Sequence, residues 1–199
     1  MSVLYSNLRY MWTQVINPRI GDVYVFGGAL DPNDTSVGTD CSGAVSAVNE
    51  ALLYGPQMSW ARQFWTGTFA GVQPGDRGPF GGADVTSQWI CIASPDQAPV
   101  DAVMVVAVLQ LQDPSQAHMV CRVQGVGIES GGGFTDANGN STLHTGSVST
   151  QVTDPMFNQF FYLPGPVIGG PSVLRPTPPQ LAGDSTSQAS LTVLAGQFL

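Results

Sequence analysis

The chain has 199 residues, of which 43% are hydrophobic and 10% charged, enough to bury the core of one domain and carry a tail. Fourteen acidic residues stand against six basic ones, all arginine, for a net charge of -8. That balance argues against a nucleic-acid grip, which needs clustered cations on phosphate, and against adsorption to an anionic membrane face.

The start, Met1 to Gln14, lacks the basic residues and continuous apolar run of a signal peptide. No apolar run approaches the ~18 residues of a membrane-spanning helix, so no membrane insertion is expected. Leu8, Met11, Trp12 and Val15 recur at helical spacing and predict an amphipathic first helix, closed by Pro18. Residues 21–28 read as a short extended segment entering a Gly27-Gly28 turn, and residues 30–39 as a loop. Cys41 to Leu53 predicts a second helix ended by Gly55-Pro56. Trp60 and Phe64, four apart in an aromatic-rich stretch, are placed on one helix face as core. Residues 88–93, 100–111, 117–124, 126–130 and 157–163 read as strands, the middle three as an antiparallel meander joined by short turns. Residues 138–150 are rich in Ser, Thr, Gly and Asn, so His144 is expected on an exposed loop, with a polar role in the site as its alternative. One helix followed by an antiparallel sheet is an α+β arrangement. The expected division is a domain over residues 1–166, a Pro/Gly-rich linker over 167–184 and a C-terminal segment over 185–199 that docks on a partner.

The chemistry centres on Thr39-Asp40-Cys41-Ser42-Gly43. A cysteine in the first turn of a helix meets unpaired N–H groups and the positive end of the dipole, which favours the nucleophilic thiolate. Such a thiol needs a base, and the base a third group to orient it. His118 opens a strand, and Glu129, one of only two glutamates, lies in the next strand across a turn at Gln124-Gly125. A short hairpin brings the two strands side by side, so the carboxylate reaches the imidazole. The expected roles are Cys41 as nucleophile, His118 as base then acid, and Glu129 as orienter, with the Cys41 N–H in an oxyanion hole. A zinc reading built on His118, Cys121, Cys91 and Cys41 is disfavoured, because residues three apart on a strand face opposite ways. No metal or organic cofactor is expected.

At Tyr24-x-Phe26-Gly27-Gly28, Asp40-Cys41-Ser42-Gly43 and His118 the chain resembles the NlpC-type cell-wall peptidases, a papain-like cysteine family. Further stretches, Gly78-Pro79-Phe80-Gly81, Pro99 to Val103, Gly127-Ile128-Glu129-Ser130 and Tyr162 to Pro166, are similar to the N-terminal peptidase domains of endolysins (lysin A) from phages of mycobacteria and related actinobacteria. The resemblance implies a papain-like α+β fold, a Cys-His-Glu triad, Tyr24 at the oxyanion site, and Asp40 and Ser42 on the substrate peptide. It implies a peptidoglycan endopeptidase made in the host cytoplasm and acting on stem peptides of the cell wall, often between D-γ-glutamyl and diaminopimelate residues. Phe26 stands where the general family often has Trp, and Glu129 where His, Asn or Gln is common. The rival expectation is a virion tail or tail-tip protein that keeps the fold for docking on other tail proteins, in line with the low charge and apolar C-terminal segment.

Overall fold

A computed structural model describes residues 2–170 apart from Thr35 and Ser87. Most of the expected linker and all of the segment over 185–199 lie outside the described residues.

Helix α1 (Tyr5–Tyr10) runs on through a wider π-helical turn, Met11–Ile16, and a 3-10 turn, Asn17–Arg19, that holds Pro18. Its apolar stripe, Leu8, Met11, Trp12, Val15 and Ile16, is buried against helix α2 (Cys41–Tyr54) and the sheet. Asp40 caps α2, its carboxylate accepting the Gly43 N–H at 2.7 Å. At the other end the Asn7 amide donates to the Leu52 and Leu53 carbonyls, both at 3.2 Å, supplying partners the last turn lacks.

Helix α2 is buried from Cys41 through Leu52. Its apolar face, with Ala44, Val48, Ala51 and Leu52, enters the core. Its polar stripe, Ser42, Ser46 and Glu50, spaced four apart, is covered by the segment over 59–65. Ser46 Oγ accepts the Gln63 N–H at 2.9 Å, and Glu50 accepts the N–H groups of Ser59 at 2.8 Å and Trp60 at 3.1 Å. Buried polar groups hold their place only when so paired.

The described residues hold eight strands, in chain order β1 (Val3–Leu4), β2 (Ile90–Ile92), β3 (Met104–Leu109), β4 (His118–Val123), β5 (Val126–Thr135), β6 (Ser141–Thr145), β7 (Gln159–Leu163) and β8 (Val167–Ile168). β1 and β8 pair in parallel, and the other six form an antiparallel sheet in the order β2-β7-β3-β4-β5-β6. Together with the helices this is an α+β fold. Met104, Val106, Met119, Cys121, Ile128 and Phe161 pack beneath the helices, while Val105, Ala107 and Val120 meet Val152 and Phe157 on the opposite face. An aromatic cluster closes one side, with Phe69 stacked on Trp89 at 5.4 Å and against Phe161 at 4.9 Å. Each such ring, fully buried, is worth about 1.5–3 kcal/mol of transfer free energy.

Two expectations are corrected. Residues 138–150 hold a strand, β6, and His144 lies buried on it rather than on an exposed loop. The alternation there is written in Ser, Thr and His, and residues 149–152 fold back over the face that composition alone assigns to solvent. Trp60 and Phe64 share no helix, because Trp60 takes a left-handed φ of 62° and its N–H goes to Glu50. Phe64 enters the core, whereas Trp65 stays half exposed.

Candidate active site

Cys41 occupies the first position of α2, behind a loop that Asp40 organises. One carboxylate oxygen of Asp40 accepts the Gly43 N–H, and the other accepts the Gly27 N–H at 2.9 Å. The Arg62 guanidinium pairs with the same carboxylate and also reaches the Ser42 hydroxyl. Gly43 has to be glycine, because a Cβ there would overlap the Gly28 carbonyl. All three cysteines are free thiols. Burial pushes Cys91 up to about 11, with Asp76 adding to it, and burial raises Cys121 further. Neither of these two is suited to nucleophilic work.

The turn between β4 and β5 has positive φ at both central residues, 49° at Gln124 and 90° at Gly125, and sets the pairing Val123↔Val126 and Cys121↔Ile128. Continued, that register puts Glu129 one same-face step from His118. His118 Nε2 donates to Glu129 Oε1 at 2.7 Å, and Cys41 is the other side chain that acts on the ring. Burial opposes charge on the ring, but the hydrogen bonds and the negative charge of Cys41 and Glu129 outweigh it and raise His118 to about 9. Burial would raise Glu129 too. The bonds from His118 and Thr150 reverse that and hold the carboxyl down at about 2.

Glu129 is 1% exposed and accepts four hydrogen bonds. Oε1 takes His118 Nε2 and the Thr150 hydroxyl (2.9 Å); Oε2 takes the Thr150 N–H (2.6 Å) and His144 Nε2 (3.0 Å). Tyr24 completes the group. Burial first, then the charges of Cys41 and Asp40, push its hydroxyl up to about 12, so it remains a neutral donor.

Cys41 and Tyr24 border an open cleft of about 530 Å³, lined also by Phe26, Asp40, Arg62 and Trp65, among others, and by Ala117, the residue before His118. Phe26 (71% exposed) and Trp65 (52%) present apolar surface to it. The structure thus brings Cys41, His118, Glu129, Tyr24, Asp40 and Ser42 to one place. Arg62 and Thr150, which the sequence does not single out, belong to it as well, and so does His144, the alternative candidate for a polar role. The Gly131-Gly132-Gly133 run carries the sequence signal of a close backbone approach. It is a bulge within β5, with φ of 101° at Gly131 and 69° at Gly132, and a Cβ on Gly132 would overlap Glu129 Oε1.

No curated protein and no solved structure matches the chain. A family model does: that of Endolysin A, over residues 1–170. The match takes in every element described above, from β1 through the cleft residues to β8, and by it the chain belongs to the Endolysin A family.

Proposed function

We propose that this endolysin, a phage protein acting on the bacterial cell wall, is a cysteine peptidase of the NlpC-type, papain-like kind that hydrolyses stem-peptide amides of peptidoglycan. The observation that carries the reading is the His118–Glu129 hydrogen bond at 2.7 Å beside Cys41, a thiol that lines the cleft and acts with Glu129 to raise the imidazole. In this reaction the Cys41 thiolate attacks the scissile carbonyl carbon. Charge developing on the carbonyl oxygen is met by the Cys41 N–H and the Tyr24 hydroxyl. The His118 imidazolium gives its proton to the leaving amine, and a thioester remains on Cys41. His118, now neutral, takes a proton from water, which adds to the thioester and releases the acid and the thiolate. Glu129 fixes the ring and stabilises its charged form. Asp40 and Ser42 hold Arg62 at the cleft edge, so the trio meets the substrate through guanidinium N–H groups, and Phe26 and Trp65 form apolar walls. Peptidase activity is the work of residues 1–166, with 167–184 as linker.

Mass spectrometry of muropeptides after digestion of purified actinobacterial wall tests this. New amino termini with intact glycan are expected, and the fragment masses identify the bond; new reducing ends without new amines would contradict it. Gly132→Ala offers a second check. The added methyl displaces the Glu129 carboxylate, and a displacement of about 1 Å in a catalytic constellation costs on the order of 100-fold in rate. Wall digestion should fall by that order while far-ultraviolet circular dichroism stays unchanged.

A further inference from the structure

The carboxylate that braces His118 carries a second imidazole. His144 lies directly opposite Glu129 in the β5–β6 ladder, is 3% exposed, and rests tilted against the Phe134 ring at 5.1 Å. Nδ1 lies 2.8 Å from the Thr142 carbonyl and Nε2 lies 3.0 Å from Glu129 Oε2. The terminal torsion of a glutamate is broad and intrinsically weakly held. Here each oxygen receives one bond from Thr150, and the remaining positions are divided between the two histidines, His118 on Oε1 and His144 on Oε2. The four acceptor positions of the carboxylate are then filled, and its rotation would break bonds at both ends.

We propose that His144 is a positioning residue of the peptidase: by donating from Nε2 to Oε2 it keeps Oε1 aimed at His118. This rests on the Cys-His-Glu reading above. Packing alone would need a flat, buried ring but no N–H at Nε2, and that difference separates the two roles.

The test compares His144→Phe, which keeps a ring without a donor, with His144→Gln, whose side-chain amide reaches the same oxygen. Both are read beside the unaltered protein and Cys41→Ala on a soluble stem-peptide fragment. His144→Phe should lower kcat about tenfold, the scale for residues that orient a functional ligand. KM should stay within about twofold, since the lost contact acts on the chemical step. His144→Gln should recover most of kcat. Histidine-labelled unaltered protein supplies a reading independent of any variant's folding. Its proton–nitrogen spectrum should show a hydrogen on Nε2 of His144, slow to exchange. An unchanged kcat in His144→Phe, equal losses in both variants, or a His144 protonated at Nδ1 alone would overturn the positioning role. Full activity in Cys41→Ala would instead overturn the peptidase reading beneath it.

Discussion

Cys41→Ala should abolish release of amino groups from the wall, with a loss on the order of 10⁴-fold or more, as when the nucleophile of a triad is removed. Alanine leaves the helix terminus, the Asp40 cap and the cleft walls in place, because none of their hydrogen bonds uses the sulfur. The melting temperature should therefore move by only a degree or two. Cys41→Ser is expected to be nearly as inactive. A hydroxyl fits the space but is a far weaker nucleophile beside the same imidazole. Cys91 and Cys121 cannot substitute, being buried in the core with raised pKa values. A Cys41→Ala protein that digests wall at the normal rate would remove the thiol from the mechanism.

Glu129→Gln carries the second large effect, and it acts on rate and stability together. Four donors converge on two carboxylate oxygens, and an amide offers one oxygen and an NH2 that faces donors in turn. At least one buried donor loses its acceptor, at about 1–3 kcal/mol. His118 also loses the anion that orients and charges it, for which about 10²–10⁴-fold in kcat is expected. Melting lowered by several degrees with unaltered kcat/KM would make Glu129 a structural residue only.

The pH dependence has a definite sign. Glu129 falls from 4.5 to about 2, so its contribution to stability is present above 4.5 and is lost as pH drops through about 2. His118 rises from 6.5 to about 9, so its contribution is complete below 6.5 and is lost as pH climbs through about 9. Both are complete between 4.5 and 6.5. In Glu129→Gln the acid-side loss assigned to residue 129 should vanish and the alkaline loss should begin at lower pH.

What could be read from the chain is what depends on neighbours in sequence. Cys41 at a helix start follows from the loop over 30–39 before it and the helical segment from Cys41 to Leu53 that it opens. The approach of Glu129 to His118 follows from a two-residue turn between strands. Features made by distant segments were hidden. Thr150 grips Glu129 from 21 positions away through a polar stretch. Arg62 joins Asp40 only because Ser46 and Glu50 tie down the segment that carries it. The insertion of β7 between β2 and β3 is likewise invisible, since an apolar strand pattern specifies burial and not which strands it will pair with.

Coupling of sulfur, imidazole and carboxylate is most directly measured by nuclear magnetic resonance titration of the labelled His118 ring in the unaltered protein and in Cys41→Ala. The account predicts that the ring stays protonated to about pH 9 in the first and titrates at clearly lower pH in the second, since the sulfur supplies part of the upward shift. A ring that titrates near 6.5 in both proteins would contradict it.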